Sequence, residues 1–213
     1  MSWLIRTFGS SIGKKLLMAI TGLAFFGFLC MHLAGNLTIY KGGSAFNAYA
    51  QKLHSLGPIL IVFELGLLAF AIIHIATGIT LFVQNLKART VPYKMDKPAG
   101  GRTFSSTWMP YTGFVLLAFV IFHLLNFSFI DKGQRTIFEI VSAAFSNPIY
   151  MIIYVFAMVV LALHVRHGFW SAFQTVGANH PKYMPAIMVL SIVVGLIFGF
   201  GFGLLPIYIW SMG

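Results

Sequence analysis

The chain has 213 residues, of which 59% are hydrophobic and 8% are Asp, Glu, Lys or Arg, with a mean hydropathy of +0.88. That much apolar content excludes a disordered chain, and a soluble domain, at about 25% charged residues, is a poor match. Lys and Arg number 14 against 4 acids, a formal charge of +10; in so apolar a chain the excess concerns membrane sidedness rather than nucleic acid.

A helix that crosses a bilayer needs about 20 predominantly apolar residues. Five segments qualify, over about 16–40, 56–86, 108–130, 148–173 and 183–210. Backbone polar groups have no water to bond in lipid, so each segment is expected to be a helix. The expected fold is an all-α, five-helix membrane bundle, one domain over 1–213. The first run follows Arg6, Lys14 and Lys15. At about 25 residues it is too long for the core of a signal peptide and reads as a retained helix. Residues 91–107, with Pro92, Pro98, Gly100 and Gly101, read as an inner loop ordered by contact. Asn147–Pro148 and His180–Pro181 mark helix starts. No internal repeat or low-complexity tract stands out.

Basic residues sort by loop. Arg6, Lys14, Lys15, Lys87, Arg89, Lys94, Lys97, Arg102, Arg166 and Lys182 fall on one side of the five-span arrangement. Lys41, Lys52, Lys132 and Arg135 fall on the other. The positive-inside rule puts the N-terminus in the cytoplasm and the C-terminus outside. Cys30 is the one cysteine. It excludes an internal disulfide, a Cys-rich zinc site and an iron–sulfur cluster held by this chain alone, and there is no Cys-x-x-Cys-His for covalent haem.

Seven histidines occur, and His32, His74, His123 and His164 fall one in each of the first four spans. Ionisable residues inside a membrane are costly and tend to be functional. Counted along the helix rise, His32 and His123 lie roughly 10–12 Å from the outer boundary, and His74 and His164 roughly 24 Å from it. An outer pair and an inner pair result, about 12 Å apart in depth. Two histidines facing across a bundle can hold one haem iron at both axial positions, and two pairs make two stacked haems. Gly35, Gly78 and Gly168 follow their histidines by three or four residues, which places each on its histidine's face with room for a flat group. Hydrogen bonding across helices, proton relays and ion sites are the competing readings.

These residues also resemble a known family, the five-helix, two-haem cytochrome b subunit (cytochrome b558) of succinate:quinone oxidoreductases. The stretches that carry the resemblance are Ser11-Ile-Gly-Lys-Lys-Leu-Leu-Met, His32-Leu-Ala-Gly-Asn-Leu, Phe46-Asn-Ala-Tyr-Ala followed by Leu53-His54, and His164-x-x-His167-Gly-Phe-Trp170. The resemblance implies that His32 and His123 bind a distal haem b, and His74 and His164 a proximal one. It implies a subunit of succinate dehydrogenase or fumarate reductase in a prokaryotic cytoplasmic membrane. A flavoprotein carrying FAD and an iron–sulfur protein would be the soluble partners on the basic inner face. The membrane substrate would be quinone, with menaquinone the expected type. A Glu that some members carry two residues before the fourth ligand is Ala162 here.

Other residues carry weaker expectations. Glu64, about 9 Å below the outer boundary, and His54, in the outer loop, are candidates for proton exchange with a quinol; an interfacial acid and a loop hydrogen-bonder are the bland readings. His167 shares a face with His164 and competes with it as a ligand. Arg166, Lys14, Lys15, Lys87, Arg89 and Lys182 can meet propionates or a soluble partner, although helix-end anchoring alone explains them. Thr21 and Thr112 each precede a histidine by 11 residues. They can bond propionates or, more ordinarily, their own helix carbonyls. Gly195, Gly199 and Gly203 form a small-residue row that packs on another helix, in this chain or in a neighbouring copy. Trp108, Tyr111, Tyr150 and Trp210 fit an interfacial aromatic belt. The rival functions are a cytochrome b of a hydrogenase or formate dehydrogenase, and a histidine-relay proton or ion transporter.

Overall fold

The structure is a computed structural model and describes residues 6, 7, 9–88 and 104–212. Every regular element among the described residues is a helix. In chain order these are α1 (Ser11–Asn36), a 3₁₀ turn (Leu37–Lys41), α2 (Gly43–His54), α3 (Pro58–Lys87), α4 (Phe104–Phe127), α5 (Ile137–Phe145), α6 (Pro148–Thr175) and α7 (Met184–Trp210). Five of them, α1, α3, α4, α6 and α7, are long and apolar enough to cross a membrane. Most of their apolar surface points outward. The helix α3 has no buried residue at all, and Val62, Phe63 and Leu65 are each at least 60% exposed. Such a surface requires lipid around it, so the chain is a multi-pass membrane protein.

The spans begin and end somewhat differently from the apolar runs. The first helix starts at Ser11 rather than near residue 16, because the Ser10 hydroxyl accepts the Gly13 N–H at 3.0 Å and caps it. It gives way to the 3₁₀ turn after Asn36, short of Tyr40. The third span runs from Phe104 to Phe127 rather than from 108 to 130, and carries Pro110 within it. Polar flanking residues are helical here, and an apolar count stops before them. Asn147 does cap α6, accepting the Ile149 N–H at 2.9 Å. His180–Pro181 does not open a helix; a turn intervenes and α7 starts at Met184. Arg89, Lys94, Lys97, Arg102 and the loop of Pro92, Pro98, Gly100 and Gly101 lie outside the described residues.

Two short helices sit where only loops were expected. At one end of the bundle, the Phe138 N–H of α5 donates to Asn47 Oδ1 of α2 at 3.0 Å. The start of α5 carries a capping box: Glu139 N–H donates to the Thr136 hydroxyl, and Thr136 N–H donates to the Glu139 carboxylate at 2.6 Å. Those bonds from Thr136 hold the Glu139 carboxyl below its ordinary pKa. Their contribution is therefore present above the ordinary carboxylate range and is lost as pH falls through the lowered value. Thr136→Ala is expected to weaken α5 by about 1 kcal/mol, read as faster amide exchange over Ile137–Phe145.

The absence of an internal repeat is overturned. Each half of the chain up to residue 177 is a span, a short helix and a second span, and the halves match at an offset of 90–91 residues. Thr21-Gly22 corresponds to Thr112-Gly113, Phe28 to Phe119, His32-Leu33 to His123-Leu124 and Lys41-Gly42 to Lys132-Gly133. Ser55 corresponds to Ser146, Pro58-Ile59 to Pro148-Ile149, His74 to His164, and Gly78 to Gly168. The backbone repeats with them. Gly42 and Gly133 both take positive φ, 98° and 51°, a region that favours glycine. Ser55 and Ser146 both end their short helices, and Pro58 and Pro148 both stand in the first turn of the second span. The shared residues are few and far apart, and lipid accepts almost any apolar residue between them, which hides the repeat from a reading of hydropathy.

Packing follows this plan. In the first half α1 packs on α3, and in the second α4 packs on α6. The halves join where α1 meets α6. In contrast α3 and α4 meet little among the described residues, chiefly where Phe82 packs on Tyr111 and Phe114. The fifth span, α7, lies outside the repeat and makes the most extensive contact of all, with α6. Its glycine row faces α6 within the chain: a Cβ on Gly195 would lie 2.9 Å from the Ala162 carbonyl oxygen, and one on Gly199 would lie 3.0 Å from Ala162 Cβ.

Candidate functional site

The four span histidines are arranged by the two halves. His32 and His123, equivalent positions on α1 and α4, meet ring to ring with centroids 6.0 Å apart and planes at 88°. Apolar rings surround them. Phe28 stacks on His32 at 5.2 Å and its counterpart Phe119 lies 5.9 Å from His123, with Phe127 and, from α7, Phe202 close by. Few polar groups reach the pair. Asn36 Nδ2 donates to the His32 carbonyl at 2.8 Å and approaches His32 Nε2 at 3.5 Å. The hydroxyl of buried Tyr154 lies 3.4 Å from His123 Nδ1.

The other two histidines each lie against the preceding span of their own half. His74 Nδ1 is 3.0 Å from Thr21 Oγ1, and His164 Nδ1 is 3.0 Å from Thr112 Oγ1. The backbone beside each imidazole is glycine: a Cβ on Gly22 would lie 3.4 Å from His74 Cε1, and one on Gly113 would lie 3.6 Å from His164 Cε1. His164 is within electrostatic range of both His74 and His167. Since Thr21 shares a level with His74 and Thr112 with His164, the 11 residues from each threonine to the next histidine separate the two levels. At the α-helical rise this is about 16 Å along the helix, wider than the count from the outer boundary implied.

Of the glycines expected to leave room beside the histidines, Gly35 is filled from another helix, while Gly78 and Gly168 stay open or nearly so. Gly35 receives the ring of Tyr49 from α2, Gly78 has Met18 Cε as its neighbour at 3.7 Å, and nothing lies within 4 Å of a Cβ on Gly168. The helix side that faces His74 and His164 belongs to the preceding span of each half, and the recurring Thr-Gly dipeptide was its sequence signal. Each threonine bonds its own helix carbonyl, the ordinary one of its two expected contacts, and each also meets a histidine, which spacing along one helix did not suggest.

The remaining candidates scatter. Glu64 is exposed on α3, and His54 is exposed as the last residue of α2 rather than in a loop. Arg166 is exposed and its Cβ faces Gly195 of α7, so it stands on a different side of α6 from the Thr112 contact of His164. His167 is 7% exposed, packs on Trp170 at 4.9 Å, and its Nδ1 is buried with no hydrogen-bond partner among the described residues. Lys15, Lys87 and Lys182 are exposed, Lys14 is half-buried, and Lys182 lies over the Tyr183 ring.

Chemically, the donors come two by two. Among the described residues no three His, Cys, Asp or Glu side chains gather as a closed metal site would need. Two imidazoles bonded at about 2 Å on opposite sides of one ion hold their ring centres about 6 Å apart, a separation that the His32 and His123 ring centres share. The surroundings of that pair are aromatic and apolar, and both imidazoles are half-buried. Comparison of the chain with known protein families, curated proteins and solved structures gives no match to any of them.

Proposed function

We propose that the chain is a dihaem membrane cytochrome b, the anchor of a succinate:quinone oxidoreductase, passing electrons between an iron–sulfur partner and quinone. His32 and His123 would hold the outer haem b, and His74 and His164 the inner one. The observation that carries this reading is the pairing of equivalent histidines from two structural halves, with the outer rings at the separation two imidazoles keep on one ion. A second support is the buried, unpartnered His167 Nδ1, since a buried polar atom needs a partner. The flavoprotein and iron–sulfur partners, the (mena)quinone and the prokaryotic cytoplasmic membrane rest on the family resemblance. The N-terminus-inside orientation rests on the basic residues.

A haem iron bound by two imidazoles supplies one-electron transfer without ligand exchange. The chain's own residues do the rest. The four imidazoles fix position and depth, Phe28, Phe119 and Phe202 keep water from the outer pair, and Lys14, Lys15 and His167 would receive propionates toward the basic end. Glu64 occupies the repeat position of Tyr154, the residue whose hydroxyl reaches His123. In the second half that position is buried; in the first it is exposed and carries a carboxylate. A proton-exchanging acid beside the outer level and open to lipid suits quinol chemistry, with His54 a further candidate nearer the surface.

Pyridine haemochrome assay of the purified full chain is expected to give two b-type haems per chain; none overturns the reading. Co-purification of a protein carrying covalent flavin separates the succinate complex from a hydrogenase or formate dehydrogenase cytochrome. Glu64→Gln is expected to keep both haems while quinol turnover by the assembled complex falls about 100-fold. Unchanged turnover removes Glu64 from the site.

A further inference from the structure

We infer that Thr21 and Thr112 are positioning residues that fix His74 and His164 as Nδ1–H tautomers and leave each Nε2 lone pair free for a shared ion. The inference rests on the dihaem reading for the identity of that ion, and on hydrogen-bond chemistry for the tautomer.

A threonine hydroxyl has a single proton to donate and two lone pairs with which to accept. Thr21 Oγ1 is 2.7 Å from the Leu17 carbonyl oxygen and 3.2 Å from that of Met18, and carbonyl oxygens only accept, so the proton is committed to its own helix. Thr112 Oγ1 lies 2.9 Å from the Met109 carbonyl oxygen and is committed in the same way. Each hydroxyl can then meet its histidine only as an acceptor, and the 3.0 Å contact at Nδ1 requires an N–H there. A neutral imidazole with its proton on Nδ1 has its lone pair on Nε2, the atom at the far side of the ring.

Three further features agree. The arrangement occurs twice, at equivalent positions of the two halves, with the same 3.0 Å spacing. Gly22 and Gly113, the residues after the threonines, border the two imidazoles alike, with the position of a Cβ 3.4 and 3.6 Å from each ring. A metal-ligating histidine almost always donates its second ring N–H to an acceptor, which orients the ring and strengthens it as a donor. In the outer pair only His123 Nδ1 meets a hydroxyl, that of Tyr154 at the longer 3.4 Å, and His32 meets Asn36 through Nε2 at 3.5 Å.

The test uses the full chain with Thr21→Val, Thr21→Ser, Thr112→Val and Thr112→Ser. The valines keep the shape and remove the acceptor; the serines restore it. Each valine variant is expected to hold its inner haem about 10–100-fold more weakly. It should also change the low-spin electron paramagnetic resonance signal and raise the midpoint potential of that centre alone, and the serine variants should restore both. Valine variants with both centres unchanged, or serine variants that fail to rescue, overturn the proposal. Chain that contains no haem overturns the functional reading instead. On such chain the tautomer is read by ¹⁵N-histidine magnetic resonance: Nδ1–H at His74 and His164, lost in the valine variants, supports the positioning role, and Nε2–H overturns it.

Discussion

On the dihaem reading, an alanine at position 123 is expected to lower the haem content of the purified chain from two to one, and an alanine at 32 to remove that same haem. The two imidazoles face each other at 6.0 Å, and Phe28, Phe119, Phe127 and Phe202 around them offer no replacement donor. The inner centre lies about 16 Å away along the helix and should keep its haem. Alanines at 74 and 164 should give the converse result. Haem stoichiometry with the two low-spin resonance signals reads all four variants. If His32→Ala and His74→Ala empty the same centre, the pairing across the two halves is wrong.

The second large effect belongs to the junction of α6 and α7. A methyl group at Gly195 would sit 2.9 Å from the Ala162 carbonyl oxygen and 3.2 Å from Arg166 Cβ. Both neighbours are fixed to the helix, so no flexible tip can yield and the helices must separate. Gly195→Ala is expected to destabilise the protein by about 1–3 kcal/mol, in the range of overpacked cores, and Gly199→Leu by more. Gly66→Ala, where nothing lies within 4 Å of the new methyl, is the control and should be neutral. Thermal unfolding in detergent measures the series. A Gly195→Ala protein as stable as the control would mean that α7 is not seated on α6 in this way.

The five spans were legible because lipid imposes a long apolar run on any helix that crosses it. Their ends were not, since Ser10 and the polar first turn of α1 extend the helix past the apolar stretch. The short helices α2 and α5 escaped because neither is long enough to register as a span, although the Thr136–Glu139 capping box was visible in the sequence. The four span histidines were legible from their depth alone. What faces them was not: Gly35 looked suited to His32 by spacing on one helix, but it packs against Tyr49, and the glycines that border His74 and His164 come from the preceding span. Contacts between helices depend on which sides pack together, and in lipid-facing helices such as α3, with no buried residue, an apolar pattern does not mark that side. The repeat does. Thr21-Gly22 and Thr112-Gly113, read together with the paired prolines and histidines, assign the same side to both halves.

The two histidine levels also have an electrical meaning. A hydrocarbon core is about 30 Å thick, so a separation of about 16 Å along a helix that runs near the bilayer normal covers roughly half of it. Any charge that passes between the levels therefore crosses roughly half of the membrane field. At about 2.3 kcal/mol per elementary charge per 100 mV for the whole membrane, each such passage exchanges about 1.2 kcal/mol with a 100 mV potential. If the two levels carry electrons as proposed, the energised state of the membrane bears directly on which level holds the charge.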